Sequence, residues 1–276
     1  MKIRSAARPG STGGAGNTFI AVDDLENRLG SCSVEEQDMS ETMPDRPCQL
    51  KITAEGEEIA MMQLLGTAFA RAMVLARESG VNARIYAECG PGDKESMERL
   101  TAIGLIDNDA VIRMTRRVVA GPNVVRMPEG CVLVADDLSD MQERAYFLSR
   151  QKQLFKRENA EEWLEELDRK PMMKRLLLTS REGLAGELVC WAEQGEGVIG
   201  MVYTAPAWRR KGVAAHLVEA ARQYFYQMRL SESHMDVRRS MTPVVHLAAN
   251  AGYRQSAVLM RLPGSDMDAP KKGARR

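Results

Sequence analysis

The chain lacks a net charge: 38 Lys and Arg offset 38 Asp and Glu over 276 residues. No global basic field therefore draws it to nucleic acid, and none is expected as a partner. No apolar run approaches the length of a membrane span, so no membrane association is expected either. Met1-Lys2-Ile3-Arg4 leads into Ser, Ala and Gly rather than an apolar stretch, which gives no secretion signal. The five cysteines (Cys32, Cys48, Cys89, Cys131, Cys190) are odd in number and scattered, with no Cys-x-x-Cys pair. That pattern argues against a zinc site and suits the reducing cytoplasm, where the protein is expected. Histidine is scarce: His216, His234 and His246 share no metal-ligand spacing, and all three read as structural. Neither Gly-x-x-x-x-Gly-Lys-Ser/Thr nor Gly-x-Gly-x-x-Gly occurs, which removes two common nucleotide-binding motifs. What is present, 44% apolar and 28% charged residues, is globular composition with room for one large or two small domains.

The most informative stretch is Val198 to Leu217. Val198, Ile199, Met201, Val202 and Tyr203 read as a short, mostly buried strand, and Pro206 ends it because proline cannot donate to a sheet ladder. From Val213, the apolar positions Ala214, Leu217, Val218, Ala221 and Phe225 follow helical spacing. Between strand and helix lie Arg209, Arg210 and Lys211, then Gly212. A helix start carries unpaired N–H groups and partial positive charge, so this turn predicts a diphosphate cradle. Gly212 permits positive φ or close backbone approach, and small Ala214 keeps the first turn clear.

Thr204-Ala205-Pro206-Ala207-Trp208-Arg209-Arg210-Lys211-Gly212-Val213-Ala214 resembles the acyl-CoA-binding motif of the GCN5-related N-acetyltransferase (GNAT) superfamily. Arg209, Gly212 and Ala214 fall on its Arg, Gly and Gly/Ala positions. The order of elements agrees. A strand at Cys131–Ala135 precedes a long helical region over Asp140–Lys170, with Ser139 as a candidate cap. Strands at Lys174–Thr179 and Leu184–Ala192 meet at the Arg181-Glu182-Gly183 turn. The motif strand and helix follow, then a strand at His234–Arg238, a helix at Pro243–Ala251 and a strand at Ala257–Leu262. The resemblance implies an α/β fold with a mixed, mostly antiparallel central sheet flanked by helices, over residues 128–262.

Earlier, Gln49–Thr53 and Ala83–Glu88 read as strands, and Glu57–Ser79 as a helix stopped by Gly80. The stripe Ile59, Met62, Leu65, Phe69, Met73 and Leu75 is its predicted buried face. Lys94–Ile103 predicts a helix and Asp109–Thr115 a strand. Ile103-Gly104-Leu105 through Met114 echoes Ala251-Gly252-Tyr253 through Arg261: a helix ending in Gly, an apolar residue, a polar turn, a strand. Residues 47–121 thus predict a smaller, partial repeat of the fold without the Arg-x-x-Gly-x-Gly/Ala motif, ending at the Gly121-Pro122-Asn123 break. Residues 1–46 predict a flexible leader and 263–276 a tail. Gly14–Asp23 is similar to the opening motif of diaminopimelate epimerases over about ten residues, without the catalytic cysteine motif that should follow.

The resemblance implies transfer of an acetyl group from acetyl-CoA to a primary amine, small molecule or peptide, by direct attack in a ternary complex, and it admits a homodimer. It implies a splayed central strand at Met201, Val202, Tyr203 and Thr204 holding the pantetheine arm, with Arg209, Arg210, Lys211, Gly212, Val213 and Ala214 at the diphosphate. Glu193 is the expected base, among the candidates Glu187, Glu193 and Glu196, and Tyr203 the expected acid. The family's Asn-x-x-Ala-x-x-Leu-Tyr-x-x-x-Gly-Phe pattern places Met241 at the Asn and Ala248 at the Tyr, so the usual acid is missing. Tyr203, Tyr224, Tyr226 and Tyr253 are substitutes, as is protonation of the thiolate by solvent. Arg238-Arg239 reads as a solvated charge pair. The alternative implied by Ala248 is a catalytically impaired CoA-binding or partner-binding protein.

Overall fold

The computed structural model describes residues 1–6, 16–121, 125–155, 157 and 159–269. The chain divides into two compact units, one of Met1–Ala110 with Leu259–Arg276 and one of Val111–Val258.

The first unit is built on a six-stranded sheet in the order β1-β2-β3-β4-β5-β13. Its strands are β1 (Lys2–Ser5), β2 (Thr18–Val22), β3 (Arg28–Asp38), β4 (Cys48–Gly56), β5 (Ala83–Tyr86) and β13 (Gly264–Met267). Helix α1 (Glu58–Ser79) connects β4 to β5, which are parallel; the remaining pairs are antiparallel. Three of these strands lie where a flexible leader was expected. β3 is held by nine rungs to β4, from Gly30↔Gly56 to Asp38↔Cys48, and its buried face is Gly30, Cys32 and Val34. A Cβ on Gly30 would stand 2.4 Å from the carbonyl oxygen of Glu55, so glycine there lets the strands close. The Gly-rich run over residues 7–15 lies outside the described residues, as do Gly14 and Ala15 of the epimerase-like stretch; its Thr18–Val22 is simply β2. The expected tail is corrected likewise, since Gly264–Met267 pairs with Tyr86–Ala83.

Helix α1 ends at Gly80, whose φ of 66° is left-handed. Its buried residues are Ala60, Leu64, Leu65, Ala68, Ala72 and Ala76; of the expected stripe Leu65 is among them, Phe69, Met73 and Leu75 pack half-buried against the same core, and Ile59 and Met62 are exposed. Alanine wins because its small side chain lets the helix sit close on the sheet. This helix, with a window of mean hydropathy 1.6, is long and apolar enough to cross a bilayer, contrary to the expectation from apolar runs. Helix α2 (Lys94–Ala102) follows, capped by Asp93.

The second unit carries a seven-stranded sheet in the order β12-β6-β11-β10-β9-β8-β7. Its elements are β6 (Ala110–Arg117), β7 (Val132–Asp136), α3 (Met141–Leu154), α4 (Ala160–Asp168), β8 (Lys174–Ser180), β9 (Gly183–Glu193), β10 (Glu196–Thr204), α5 (Val213–Gln227), β11 (Glu232–Arg238), α6 (Thr242–Asn250) and β12 (Arg254–Arg261). Asp140, not Ser139, caps α3, accepting from the N–H groups of Gln142 and Glu143. The unit begins at Val111 rather than after residue 121 because β6 pairs with β11 over seven rungs, Val111↔Arg238 to Arg117↔Glu232. Pro122 and Asn123 of the expected break lie outside the described residues. The sheet is mixed and mostly antiparallel: β10 and β11 are its parallel pair.

The repeat expected from the Gly-apolar echo is present in both units. Gly104 N–H bonds the Thr101 carbonyl at 2.9 Å and Leu105 N–H that of Leu100 at 3.1 Å; Gly252 and Tyr253 make the matching bonds to Ala249 and Ala248 at 3.0 Å each. Both glycines have positive φ, 96° and 88°, and Leu105 and Tyr253 are fully buried.

Candidate functional site

The β9–β10 hairpin sets the site. Gln194 and Gly195 turn it with φ of 53° and 86°, and Glu196 faces Glu193 across the first rung. From there β10 pairs with β9 on one side and, in parallel, with β11 on the other. The parallel pairing lasts two rungs, Gly197↔Ser233 and Val198↔His234. After Val198 the register with β9 slips between Ile199 and Met201, leaving Gly200 as a bulge. Beyond it β11 stays on β6 to Arg238, while Met201–Thr204 stay on β9, so the two strands part. Met201 to Thr204 thus border an opening in the sheet.

The two faces of β9 and β10 pack differently. Val189, Trp191 and Met201 join Leu138, Phe147 and Leu164 under α3 and α4. The opposite face meets α5: a Cβ on Gly186 would lie 2.4 Å from Cγ1 of Val213, so glycine brings the helix start down onto the sheet. Tyr203 is on the α3 side, its ring edge-on to Phe155 at 5.6 Å between centroids.

The turn after β10 prepares the helix start. Pro206–Trp208 forms one 3-10 turn, and Arg210 and Gly212 both adopt left-handed φ, 66° and 82°. The N–H of His216 makes the first helical bond, to Gly212 at 2.9 Å, which leaves Val213, Ala214 and Ala215 N–H groups at the open end. Arg209, Arg210 and Lys211 are exposed around it, with the Lys211 ammonium 4.9 Å from the Trp208 ring centroid. Among the described residues no atom lies within 4 Å of a Cβ built on Gly212, so glycine serves the backbone angle there rather than space. Three cations, free helix N–H groups and an open strand edge suit a long ligand with a diphosphate at one end. The residues expected to bind cofactor lie along β10 and the turn into α5; of them Val213 is buried and Met201 packs under α3 and α4.

The catalytic candidates are not all brought together. Glu193 sits at the hairpin end of β9, bonded to Lys170 at 2.7 Å. It faces Glu196, five residues before Met201, roughly 16 Å along the strand. It is therefore corrected as the base: the hairpin register carries it away from the opening. Glu196 is at the same end, bonded to Nδ1 of His234 at 3.0 Å. Glu187 does face Tyr203 across β9–β10, but it is fully buried. Both its oxygens accept from guanidinium groups: Arg150 at 3.1 and 3.3 Å and Arg175 at 2.5 Å. Arg175 also bonds Asp136 at 3.0 Å and Glu143 at 2.9 Å. Burial disfavours its charge, yet Glu187 and Glu143 outweigh that and hold its pKa above the ordinary value.

Among the tyrosines, Tyr253 is fully buried with its hydroxyl 2.9 Å from that of Ser233, and burial raises its pKa. The Tyr224 hydroxyl donates to the Met172 carbonyl at 3.0 Å, and Tyr226 is an exposed residue near the end of α5. Tyr203 is the one on the parting strand. Ala248 is fully buried in α6. Of the histidines, His216 and His234 are buried, His216 bonding the Val125 carbonyl at 3.0 Å; His246 is exposed. Arg239 is exposed and Arg238 half-buried.

One polar group near the opening was missed. Gln151 on α3 is fully buried, its amide nitrogen 3.3 Å from the sulfur of Met201, and its carbonyl oxygen has no partner among the described residues. Its sequence signal is a glutamine one helical turn after Phe147, on the buried side of α3.

Residues 135–253 match the model of the acetyltransferase (GNAT) family. This segment is a GNAT domain. Within this segment β10 and β11 part after Val198, and the turn at Arg209–Gly212 leads from β10 into α5. Similar solved structures include a GCN5-related N-acetyltransferase from Sphaerobacter thermophilus, 16% identical with a TM-score of 0.52, covering 91% of this chain and 82% of that one. A conserved protein of unknown function from Enterococcus faecalis V583, described as a probable N-acyltransferase, is 14% identical with a TM-score of 0.52, covering 89% of this chain and 61% of that one. At these identities the likeness is one of fold. No curated protein matches the chain in sequence. The GNAT family membership of residues 135–253 supports acetyl transfer as the general activity.

Proposed function

We propose that this protein is an acetyl-CoA-dependent N-acetyltransferase that acylates a primary amine, of a small molecule or a peptide, in a ternary complex. The observation that carries this is the parting of β10 from β11 after Val198, on the strand that leads into the cationic helix start at Arg209–Ala214. Arg209, Arg210, Lys211 and the N–H groups of Val213 and Ala214 would hold the diphosphate, and Met201–Thr204 the pantetheine arm. Bound acetyl-CoA supplies the activated thioester. The acceptor nitrogen attacks the thioester carbon as the free amine, the C–N bond forms, and the C–S bond breaks. Backbone N–H groups on β10 stabilise charge developing on the carbonyl oxygen. The amine's extra proton passes to water, and the Tyr203 hydroxyl protonates the departing thiolate.

Fully buried Ala248, where the family pattern has tyrosine, favours a second reading: a CoA-binding or partner-binding protein without turnover. Free-thiol release from acetyl-CoA, measured against a panel of polyamines, aminosugars and peptide amines, separates the two. Amine-dependent release above hydrolysis supports the enzyme. Tight acetyl-CoA binding with no release across the panel supports the second reading.

A further inference from the structure

The first unit has its own opening between parallel strands. β4 and β5 pair from Cys48↔Ala83 to Lys51↔Tyr86. β4 then continues to Gly56 on β3, while Ala87 and Cys89 turn away and donate to the carbonyls of Pro263 and Arg261, at 3.1 Å each. A cavity of about 250 Å³ lies where they separate. Its apolar wall includes Ile52, Leu65, Ala87 and Leu100, all buried, and two cations line it, Lys51 and Arg99.

The helix that follows β4 cannot hold a diphosphate as α5 is built to do. Glu57 is its cap residue and Glu58 stands in its first turn, placing negative charge where Arg209–Lys211 stand in the second unit. The cavity's positive charge lies deeper instead. The side chains of Lys51 and Arg99 are 22% and 19% exposed. Arg99 pairs with Glu58 and Glu95, which are 72% and 74% exposed and do not line the cavity; Lys51 pairs at 2.7 Å with Glu88, which is 39% exposed and itself lines the cavity. The Arg99 counterions sit in water, where ion pairs are weak and exchangeable, and the Lys51 ammonium keeps donors beyond the one given to Glu88. An anion inside this half-apolar cavity would meet the same cations with less screening, and the guanidinium fork matches a carboxylate.

We propose that this cavity binds a small carboxylate with a short aliphatic body, its carboxylate between Lys51 and Arg99 and its carbon chain against Ile52, Leu65 and Leu100. The volume limits the ligand to a short acid. The site is independent of acetyl transfer in the second unit, so the fate of that reading does not decide it.

The test is a methyl-resolved NMR titration of the full chain with butyrate, with butylamine and inorganic phosphate as separate probes. Butyrate is expected to shift the methyl signals of Ile52, Met61, Leu65 and Leu100 saturably and to leave Met201 unmoved. Arg99→Gln and Lys51→Met should each weaken binding roughly tenfold. Glu58→Gln with Glu95→Gln should tighten it, because Arg99 is then released, and a misfolded variant cannot give that result. No saturable shift at these methyls, equal binding of phosphate or butylamine, or affinity unchanged in the Arg99 and Glu58/Glu95 variants overturns the proposal.

Discussion

The indole of Trp191 lies over Gly200, so that a Cβ there would stand 2.1 Å from it. Gly200 is the bulged residue between Ile199↔Cys190 and Met201↔Val189, two residues after the last rung with β11. The bulge that re-aims β10 is thus locked by a ring that tolerates no side chain beneath it. Gly200→Val is expected to displace the indole and destabilise the protein by about 1 to 3 kcal/mol. It should also weaken acetyl-CoA binding, because Met201–Thr204 would shift with the bulge. Thermal melting read beside ligand affinity checks both; a variant as stable as wild type would contradict the packing described here.

Glu187 and Arg175 are each about 1% exposed and hold one another inside the second unit. Glu187→Gln keeps the shape but takes the charge partner from Arg150 and one of three carboxylates from Arg175. The expected loss is about 3 to 5 kcal/mol, typical of breaking a buried pair from one side. Urea unfolding measures it. A loss below about 1 kcal/mol would show that Asp136 and Glu143 suffice for Arg175.

Tyr203 and Glu193 should separate kinetically. Tyr203→Phe is expected to lower kcat about a hundredfold, as removal of a general acid does, with acetyl-CoA affinity little changed. Glu193→Gln should leave kcat near wild type, since Glu193 is at the hairpin end with Lys170. The opposite ranking would return the base to Glu193 and remove Tyr203 from the chemistry.

Burial pushes the Cys190 thiol up to about 12 and that of Cys32 up to about 11, from 9.0 in the open chain. The native thiols stay protonated where the unfolded ones ionise. Stability is therefore intact below pH 9 and falls as the pH rises from 9 towards 12. Cys190→Ala should flatten that alkaline decline in urea midpoints measured against pH. With native protein at pH 8, a thiol reagent should reach half-buried Cys131 before the four buried cysteines.

The second half was readable because its signals are local. Pro206, the three cations and Gly212 mark strand end, turn and helix start within nine residues, and α5 repeats its apolar positions at helical spacing. Elements missed in the first unit lack such marks. The buried positions of β3 are Gly30, Cys32 and Val34 between polar neighbours, a face too small to register as alternating hydrophobicity. The start of the α1 stripe was misread because Ala60 and Leu64, not Ile59 and Met62, are buried there. The unit boundary was hidden because β6 and β13 are assigned by pairing with strands far along the chain, which no local pattern encodes. Glu193 was misplaced for the same reason: its distance from the opening depends on the β9–β10 register.

The most direct test of acetyl-CoA binding at the Arg209–Ala214 turn is calorimetric titration of acetyl-CoA into wild type and a Gly212→Glu variant. The space beside Gly212 is open, so a glutamate adds backbone strain of about 1 to 2 kcal/mol at φ 82° without a clash, and the protein should remain folded. Its carboxylate would stand at the helix start and repel the diphosphate. Binding by wild type at a one-to-one ratio, weakened at least about tenfold in the folded variant, is the predicted result. No binding by well-folded wild type, or equal binding by both proteins, would contradict it.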